Sequence, residues 1–80
     1  MHLEIVSPDK KVYSGEVSLV QLPGTQSSFE ILKNHAHIIS TLRKGTIRLV
    51  EPGGNEKSFE VHGGVVENRD NTIVVLIDGM

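Results

Sequence analysis

The sequence predicts an all-β protein, a small β-sandwich of about ten short strands. Three observations lead to this prediction. Apolar and polar residues alternate along most of the chain, which is the period of a strand with one buried face. Many of the apolar residues are β-branched, as pleated sheets favour. Turn-forming residues interrupt the alternating runs at short intervals, and no amphipathic helix of useful length is recognisable.

The alternating runs follow one another along the chain. Each places apolar side chains two residues apart: Leu3 and Ile5, Val17 and Leu19, Ile47 and Leu49, and Phe59 and Val61. By this alternation Phe59 is expected to be buried. Residues 38–44 favour a strand over a helix because several of them are β-branched. The last run, residues 72–77, is apolar on both faces.

Turn chemistry separates these runs. Residues 7–10 carry a proline where a turn begins, and residues 52–55, Pro-Gly-Gly-Asn, predict a hairpin. Residues 68–71 link two further runs. Residues 63–64 are glycines, placed where a side chain would block a close backbone approach. Residues 22–37 are rich in turn-forming residues and predict a long loop, with the remaining strands as its scaffold.

Two of the runs carry apolar residues on a second face. In residues 17–22 these are Val20 and Leu22, and in the final run they are Val74 and Leu76. Either a loop covers these faces or the protein exposes an apolar patch to a partner.

Length and composition exclude several function classes. Eighty residues predict one small domain, residues 1–80. The chain has no cysteine, so it has no disulfide or thiolate chemistry, and its net charge of -2 does not suit a nucleic-acid binder. Neither a signal peptide nor a run of about 20 apolar residues is present, so work at a membrane would go through another protein.

His35 and His37 are the candidate metal ligands. Two histidines at i and i+2 on a strand share a face and, with a carboxylate, could serve a metal-dependent β-barrel enzyme. The acidic residue expected a few positions later is missing, so two loop histidines explain the pattern better. Ser27 and Ser28 lack both an orienting aspartate and a nucleophile elbow. We therefore expect no catalytic residue, no metal and no cofactor.

A small ligand-binding β-sandwich module is a further alternative. Modules that bind carbohydrates or peptides usually expose aromatic platforms, which supply large contact areas. The chain has only three aromatic residues, Tyr13, Phe29 and Phe59. These are too few for a stacking platform.

Three ordered blocks give the chain a family resemblance. They are residues 2–8 with 13–17, the Leu-Pro-Gly turn at 22–24 with residues 29–36, and residues 61–67 with 71–76. In these blocks the chain resembles the N-terminal β-sandwich domain of the epsilon subunit of F-type ATP synthases. It departs from the family pattern at Ser27 and Glu30, where glycine is usual, and at Lys33 and His37, where proline is usual. These departures are expected to loosen the backbone of the loop.

The resemblance implies a role without an active site. The family's subunit is part of the central stalk, or rotor, binds the gamma subunit and the ring of c subunits, and helps couple proton transport to ATP synthesis. It implies a peripheral position on the cytoplasmic face of the bacterial inner membrane, held there by partner subunits. The chain ends at Met80, so we also expect it to lack the C-terminal helical hairpin of many family members.

The resemblance also suggests which residues touch these partners. Those expected to face the c ring are Gln26, Ser28, Glu30 and Asn34, and those expected near gamma are His35 and Ser40. The second apolar faces, with Val20, Val74 and Leu76, would suit a surface for gamma.

Overall fold

The structure, a computed structural model, describes residues 1–79, which form nine β-strands and no helix. The strands are β1 (His2–Val6), β2 (Lys11–Glu16), β3 (Leu19–Pro23), β4 (Ser28–Leu32), β5 (Ile38–Leu42), β6 (Gly45–Val50), β7 (Glu56–Val61), β8 (Gly64–Arg69) and β9 (Thr72–Ile77). Each is five or six residues long, a common length for strands in globular proteins.

The strands form two sheets that face each other. The five-stranded sheet has the order β2-β1-β9-β8-β5, and the four-stranded sheet has the order β4-β3-β6-β7. All pairs are antiparallel except β1 with β9, which run parallel with His2 opposite Thr72. The predicted small all-β sandwich is therefore confirmed, with nine strands in the described residues rather than about ten.

The core lies between the inner faces of the two sheets. Alternation is clearest in β9, where Ile73, Val75 and Ile77 are buried and the residues between them are exposed. The largest fully buried side chains come from both sheets: Leu3, Ile5, Leu22, Ile31, Ile47, Leu49 and Ile73. Burial of these apolar side chains is the main favourable contribution to folding.

Val20 belongs to this core, so the expectation that it faces outward is wrong. Val20 and Leu22 are fully buried, and the outward positions of β3 are Leu19 and Gln21. Val17, which is also buried, precedes β3 in the segment where the chain crosses from one sheet to the other. The core lies on the opposite side of the chain after such a crossing. Odd-numbered residues point inward before it and even-numbered residues after it.

Tyr13 connects the sheets along the side where β2 faces β7. Its hydroxyl donates a hydrogen bond to Glu51 Oε2 at 2.7 Å, and its ring lies 6.0 Å from the ring of Phe59. Desolvation, and then the bond to Glu51, raise the pKa of Tyr13 to about 12. Phe59 is only partly buried, in contrast to the full burial predicted by alternation, because β7 is an edge strand.

The hairpin predicted around residues 52–55 is present, and the link predicted at residues 68–71 is also a hairpin. Residues 51–55 join β6 to β7, and Asp70 and Asn71 join β8 to β9. Both residues of this second turn have positive φ, 52° and 61°, as a two-residue type I′ hairpin turn requires. Residues 38–42 form the predicted strand of that region, β5.

Candidate functional site

The predicted long loop is not a single loop, because residues 28–32 form β4 within it. This strand pairs with β3 in an antiparallel register that places Glu30 opposite Gln21. Five residues at a strand rise of about 3.4 Å separate the two remaining turns by about 17 Å. Gln26 and Asn34, both assigned to this loop, therefore lie at opposite ends of β4.

Gln26, Ser28 and Ser40 lie at one end of β4. The turn before β4 and the middle of β5 enclose a shallow depression of about 210 Å³, lined by Gly24, Thr25, Gln26, Ser27, Phe29 and Ser40. An isolated bridge between Gly24 and Leu42 holds the turn against β5. Gln26 and Ser28 are exposed there, and Ser40 is partly buried.

Glu30 lies on the outward face of β4, beside a cluster of polar side chains centred on Arg48. Its Oε2 is 4.0 Å from Arg48 Nη2. The same guanidinium donates to Gln21 Oε1 at 3.1 Å and to Glu56 Oε1 at 3.0 Å. Arg48 was not among the predicted site residues, and only the strand register places it two strands away from Glu30.

Asn34 and His35 lie at the far end of β4, in the segment that crosses to β5. Asn34 has a positive φ of 64°, and its backbone N–H donates to Asn71 Oδ1 at 2.8 Å. The amide of Asn68 donates from Nδ2 to the carbonyl oxygens of His35, at 3.2 Å, and Ala36, at 3.1 Å. The residue pattern at 68–71 indicates only a turn and carries no signal for these contacts.

The two candidate metal ligands do not assemble a metal site. His35 and His37 lie outside any strand, so they do not share a strand face as proposed. His37 Nε2 is 3.1 Å from Glu67 Oε2, while His35 Nδ1 lies 3.0 Å from the carbonyl oxygen of Ala36. Among residues 1–79, no group of three or more histidine, aspartate or glutamate side chains could hold a metal ion. The hypothesis of a metal-dependent enzyme receives no support from this geometry.

The aromatic residues do not form a platform either. Tyr13 is 9% exposed, and Phe29 and Phe59 are partly buried against the core. The alternative of an aromatic ligand-binding module is therefore unsupported by the described structure.

The outer face of the five-stranded sheet carries an exposed apolar surface. We call Ile39, Val65, Val74 and Leu76 the outer apolar face; their exposed fractions are 67%, 39%, 36% and 55%. Val65 lies directly opposite Leu76, and Glu67 lies opposite both Val74 and Ile39. Val74 and Leu76 were predicted here. Ile39 and Val65 were missed, although the doublets 38–39 and 65–66 give each of their strands two apolar faces.

The six predicted partner-binding residues line one side of the sandwich. That side is formed by the edge strands β4 and β5 and the two turns beside β4. All six are exposed except Ser40, which is partly buried. Because Ile39 belongs to β5, this side is continuous with the outer apolar face. None of the described residues forms a helix that is long and apolar enough to cross a membrane.

Comparison with known proteins gives consistent matches. A family model described as "ATP synthase, Delta/Epsilon chain, beta-sandwich domain" matches residues 1–80. The ATP synthase epsilon chain of Rhodopseudomonas palustris is 38% identical over 77 residues, and that of Caulobacter vibrioides is 35% identical over 78 residues. The Rhodopseudomonas match covers 96% of this chain and 56% of the relative, and the Caulobacter match covers 98% and 90%. The chain thus spans a little more than half the length of the first relative and most of the second.

Solved structures share the fold. In the mitochondrial ATP synthase of Euglena gracilis (OSCP/F1/c-ring), one chain matches with a TM-score of 0.88 at 16% identity. This match covers 94% of the present chain and 48% of the other. In the central stalk and c ring of the Tetrahymena thermophila enzyme, the TM-score is 0.81 at 19% identity, with 98% and 63% covered.

Proposed function

Because the chain belongs to the ATP synthase delta/epsilon β-sandwich family, we propose that it is a central-stalk subunit that binds gamma and the c ring. In this role residues 1–80 act as one domain that turns with the rotor and helps couple proton transport to ATP synthesis. The domain lies peripherally at the cytoplasmic face of the bacterial inner membrane, held by its partner subunits. The family assignment confirms the resemblance drawn from the sequence, and the epsilon chain is a structural and regulatory subunit rather than a catalytic one.

The observation that carries this proposal is the placement of the predicted contacts on one side of the sandwich. Gln26, Ser28, Glu30 and Asn34 are exposed along β4 and its two turns. We assign this edge to the polar loops of the c ring. The backbone of β4 is paired with β3 on its other side, so its outward side chains are held on a rigid element.

The outer apolar face supports a second contact, with gamma. Four exposed apolar side chains on one sheet form a contiguous surface of the kind that marks protein–protein interfaces. His35 precedes β5 and Ser40 lies within it, and β5 is the strand that joins this face to the β4 edge. A stable interface buries about 1,200–2,000 Å² in total and is more apolar at its centre than at its rim. An apolar face bordered by polar turns fits that description.

The mechanical role follows from the arrangement. Two paired sheets with a continuous core resist deformation, because packed interiors have low compressibility and transmit strain. A rigid domain that binds gamma and the c ring on adjoining surfaces makes these two partners move together. No bond is made or broken by this chain in the proposed role.

The test compares charge changes at the two edge strands of the four-stranded sheet, β4 and β7. A Glu30→Lys, Ser28→Lys variant is expected to bind a purified complex of gamma and the c ring about tenfold more weakly, since rim charges steer association. Glu56→Lys is the matched control, because it also removes an acidic partner of Arg48 but lies on β7, at the other edge of the sheet. Titration binding measurements and urea unfolding of each variant would supply the comparison.

The proposal requires a difference between the two variants. The β4 variant loses affinity while its stability matches that of the Glu56 control, and the control keeps the affinity of the unsubstituted chain. Equal affinity in all three proteins would remove the β4 edge from the interface. A complete lack of binding by the unsubstituted chain would contradict the proposed function itself.

A further inference from the structure

Three asparagines hold the segment between β4 and β5 in place. We call Asn34, Asn68 and Asn71 the asparagine clamp. Asn34 and Asn71 are joined twice: Asn34 N–H donates to Asn71 Oδ1 at 2.8 Å, and Asn71 Nδ2 donates to Asn34 Oδ1 at 3.1 Å. Asn68 Nδ2 donates to the carbonyl oxygens of His35 and Ala36. The clamp therefore fixes the backbone of residues 34–36, which have no strand partner of their own.

Asn68 is a costly residue for the fold. It is 1% exposed, and its Oδ1 has no hydrogen-bond partner in the part of the chain that the structure describes. A buried acceptor without a partner lowers stability, whereas an apolar side chain of similar size carries no such penalty. An apolar residue at this inward position of β8 would avoid that penalty but would lose both hydrogen bonds to residues 35 and 36.

Asn71 is likewise not the residue that its turn would favour most. Asp70 and Asn71 both have positive φ, and Asp-Gly is a preferred pair for such a two-residue hairpin turn. Glycine at position 71 would keep the turn but could not bond to Asn34. The side chain of Asn71 therefore serves the neighbouring segment and not its own hairpin.

From these two observations we infer that the β8–β9 hairpin is a positioning device for the partner contact, and that Asn68 and Asn71 are its positioning residues. They present Asn34 and His35 in one backbone conformation before binding. A contact ordered in advance loses less conformational freedom when the partner arrives, so it binds more tightly. This inference rests on the proposed function, in which Asn34 and His35 meet the rotor.

Two variants of the 80-residue chain test the inference. Asn68→Leu removes the unpaired buried oxygen, and Asn71→Gly keeps the turn while removing both bonds to Asn34. Asn71→Asp retains the acceptor for the Asn34 amide and serves as the rescue. Asn55→Ala is the matched control, since Asn55 is an exposed turn asparagine whose side chain makes no hydrogen bond to the described residues.

Three measurements are made on each protein: urea unfolding, hydrogen exchange of the Asn34 amide, and affinity for a purified complex of gamma and the c ring. We expect Asn68→Leu to be about as stable as the unsubstituted chain, because removal of the unpaired buried oxygen offsets the loss of the two hydrogen bonds from Nδ2. Asn71→Gly is expected to be equally stable. Asn71→Gly exchanges its Asn34 amide about tenfold faster, and both variants bind the rotor about tenfold more weakly. The aspartate variant recovers slow exchange, and Asn55→Ala changes none of the three.

A loss of affinity without a loss of stability separates positioning from an ordinary structural role. If Asn68→Leu unfolds more easily, or if exchange at Asn34 is unchanged in Asn71→Gly, the inference is wrong. If the unsubstituted chain binds the rotor and both variants bind equally well, the clamp has no positioning role although the proposed function stands. If the unsubstituted chain does not bind, the proposed function fails first.

Discussion

At the residue scale, single polar side chains connect the two sheets at their edges. The hydroxyl of Tyr13 reaches from β2 to Glu51, which follows β6 in the other sheet. Lys57 Nζ lies 5.4 Å from the centre of the Tyr13 ring and 3.9 Å from Glu51 Oε2. On the opposite side, the asparagine clamp links the β4–β5 segment to the β8–β9 hairpin. These contacts fix how the sheets meet, while the apolar core supplies the driving force.

Removal of the Tyr13 hydroxyl is expected to weaken the fold measurably. Tyr13→Phe keeps the buried ring but loses the bond to Glu51, so we expect the free energy of unfolding at pH 7 to fall by about 1–2 kcal/mol. Urea unfolding followed by circular dichroism measures this difference. If the variant is as stable as the unsubstituted chain, hydrogen bonds to water compensate fully for the lost bond between Tyr13 and Glu51.

The same side chain predicts how stability changes with pH. The pKa of Tyr13 is raised from 10.0 to about 12, by desolvation and then by the bond to Glu51. Its contribution is present in full below pH 10 and is lost as the pH rises from 10 to 12, because the unfolded chain then releases the proton more readily. Tyr13 is the only tyrosine, so phenolate absorbance reports its titration directly. A midpoint near 10 in the folded protein would contradict the burial of the Tyr13 side chain.

At the scale of elements, the prediction succeeded where a strand has one clear buried face. The alternating pattern identified β1, β6 and β7, and turn residues marked both hairpins. It failed at β4, where Phe29 and Ile31 point inward but the flanking turn-forming residues obscured so short a strand. It also misassigned the inward face of β3, since the crossing between sheets resets the alternation. The local alternation of apolar and polar residues does not show where the chain crosses from one sheet to the other.

The β8–β9 hairpin depends on a close backbone approach at Gly64. A Cβ atom at this position would overlap the carbonyl oxygen of Leu76 and lie 3.0 Å from Ile77 Cα. Both are backbone atoms, so the pairing of β8 with β9 would have to shift. We expect Gly64→Ala to lower the free energy of unfolding by about 3 kcal/mol, as measured in urea.

Gly53 supplies the matched control for this substitution. A Cβ atom at Gly53 would meet nothing within 4 Å. Gly53→Ala is therefore expected to change stability by less than about 0.5 kcal/mol. Similar effects at both glycines would point to the backbone entropy of the unfolded chain rather than to the steric contact at Gly64.

At the scale of the whole molecule, the topology pairs the first of the nine described strands with the last. β9 lies between β1 and β8 in the centre of the five-stranded sheet, and His2 pairs with Thr72. The central strand of this sheet is thus the last of the nine described strands in the sequence. Contacts between residues so distant in sequence require large loops to close before any stabilisation is gained.

This topology predicts slow folding for so small a protein. We expect refolding from urea in milliseconds to seconds, as for other β-sandwiches with mostly non-local contacts. Stopped-flow circular dichroism and Tyr13 fluorescence would follow the reaction, and equal rates from both probes would indicate a two-state process. Relaxation in microseconds would show instead that local hairpins dominate the barrier.

The six proposed contact residues show most clearly what the sequence could predict and what only the structure could show. The resemblance selected all six, and all lie on one side of the sandwich, yet the sequence placed five of them in one loop and Ser40 in the strand after it. In the folded chain they divide into the depression beside Ser40, the Arg48 cluster around Glu30, and the clamped segment with Asn34 and His35. Their contact with gamma and the c ring stays a prediction.

The amino-acid sequence by itself determined the fold class, the hairpins and the family, because each depends on residues close together in the chain or on ordered blocks along it. Only the tertiary structure decided that Val20 faces inward, that Ile39 and Val65 extend the outer apolar face, and that Asn68 and Asn71 hold the segment after β4. These facts depend on which strands become neighbours in the two sheets. The packing of the whole core determines which strands are neighbours, and it brings together residues that no local sequence pattern connects.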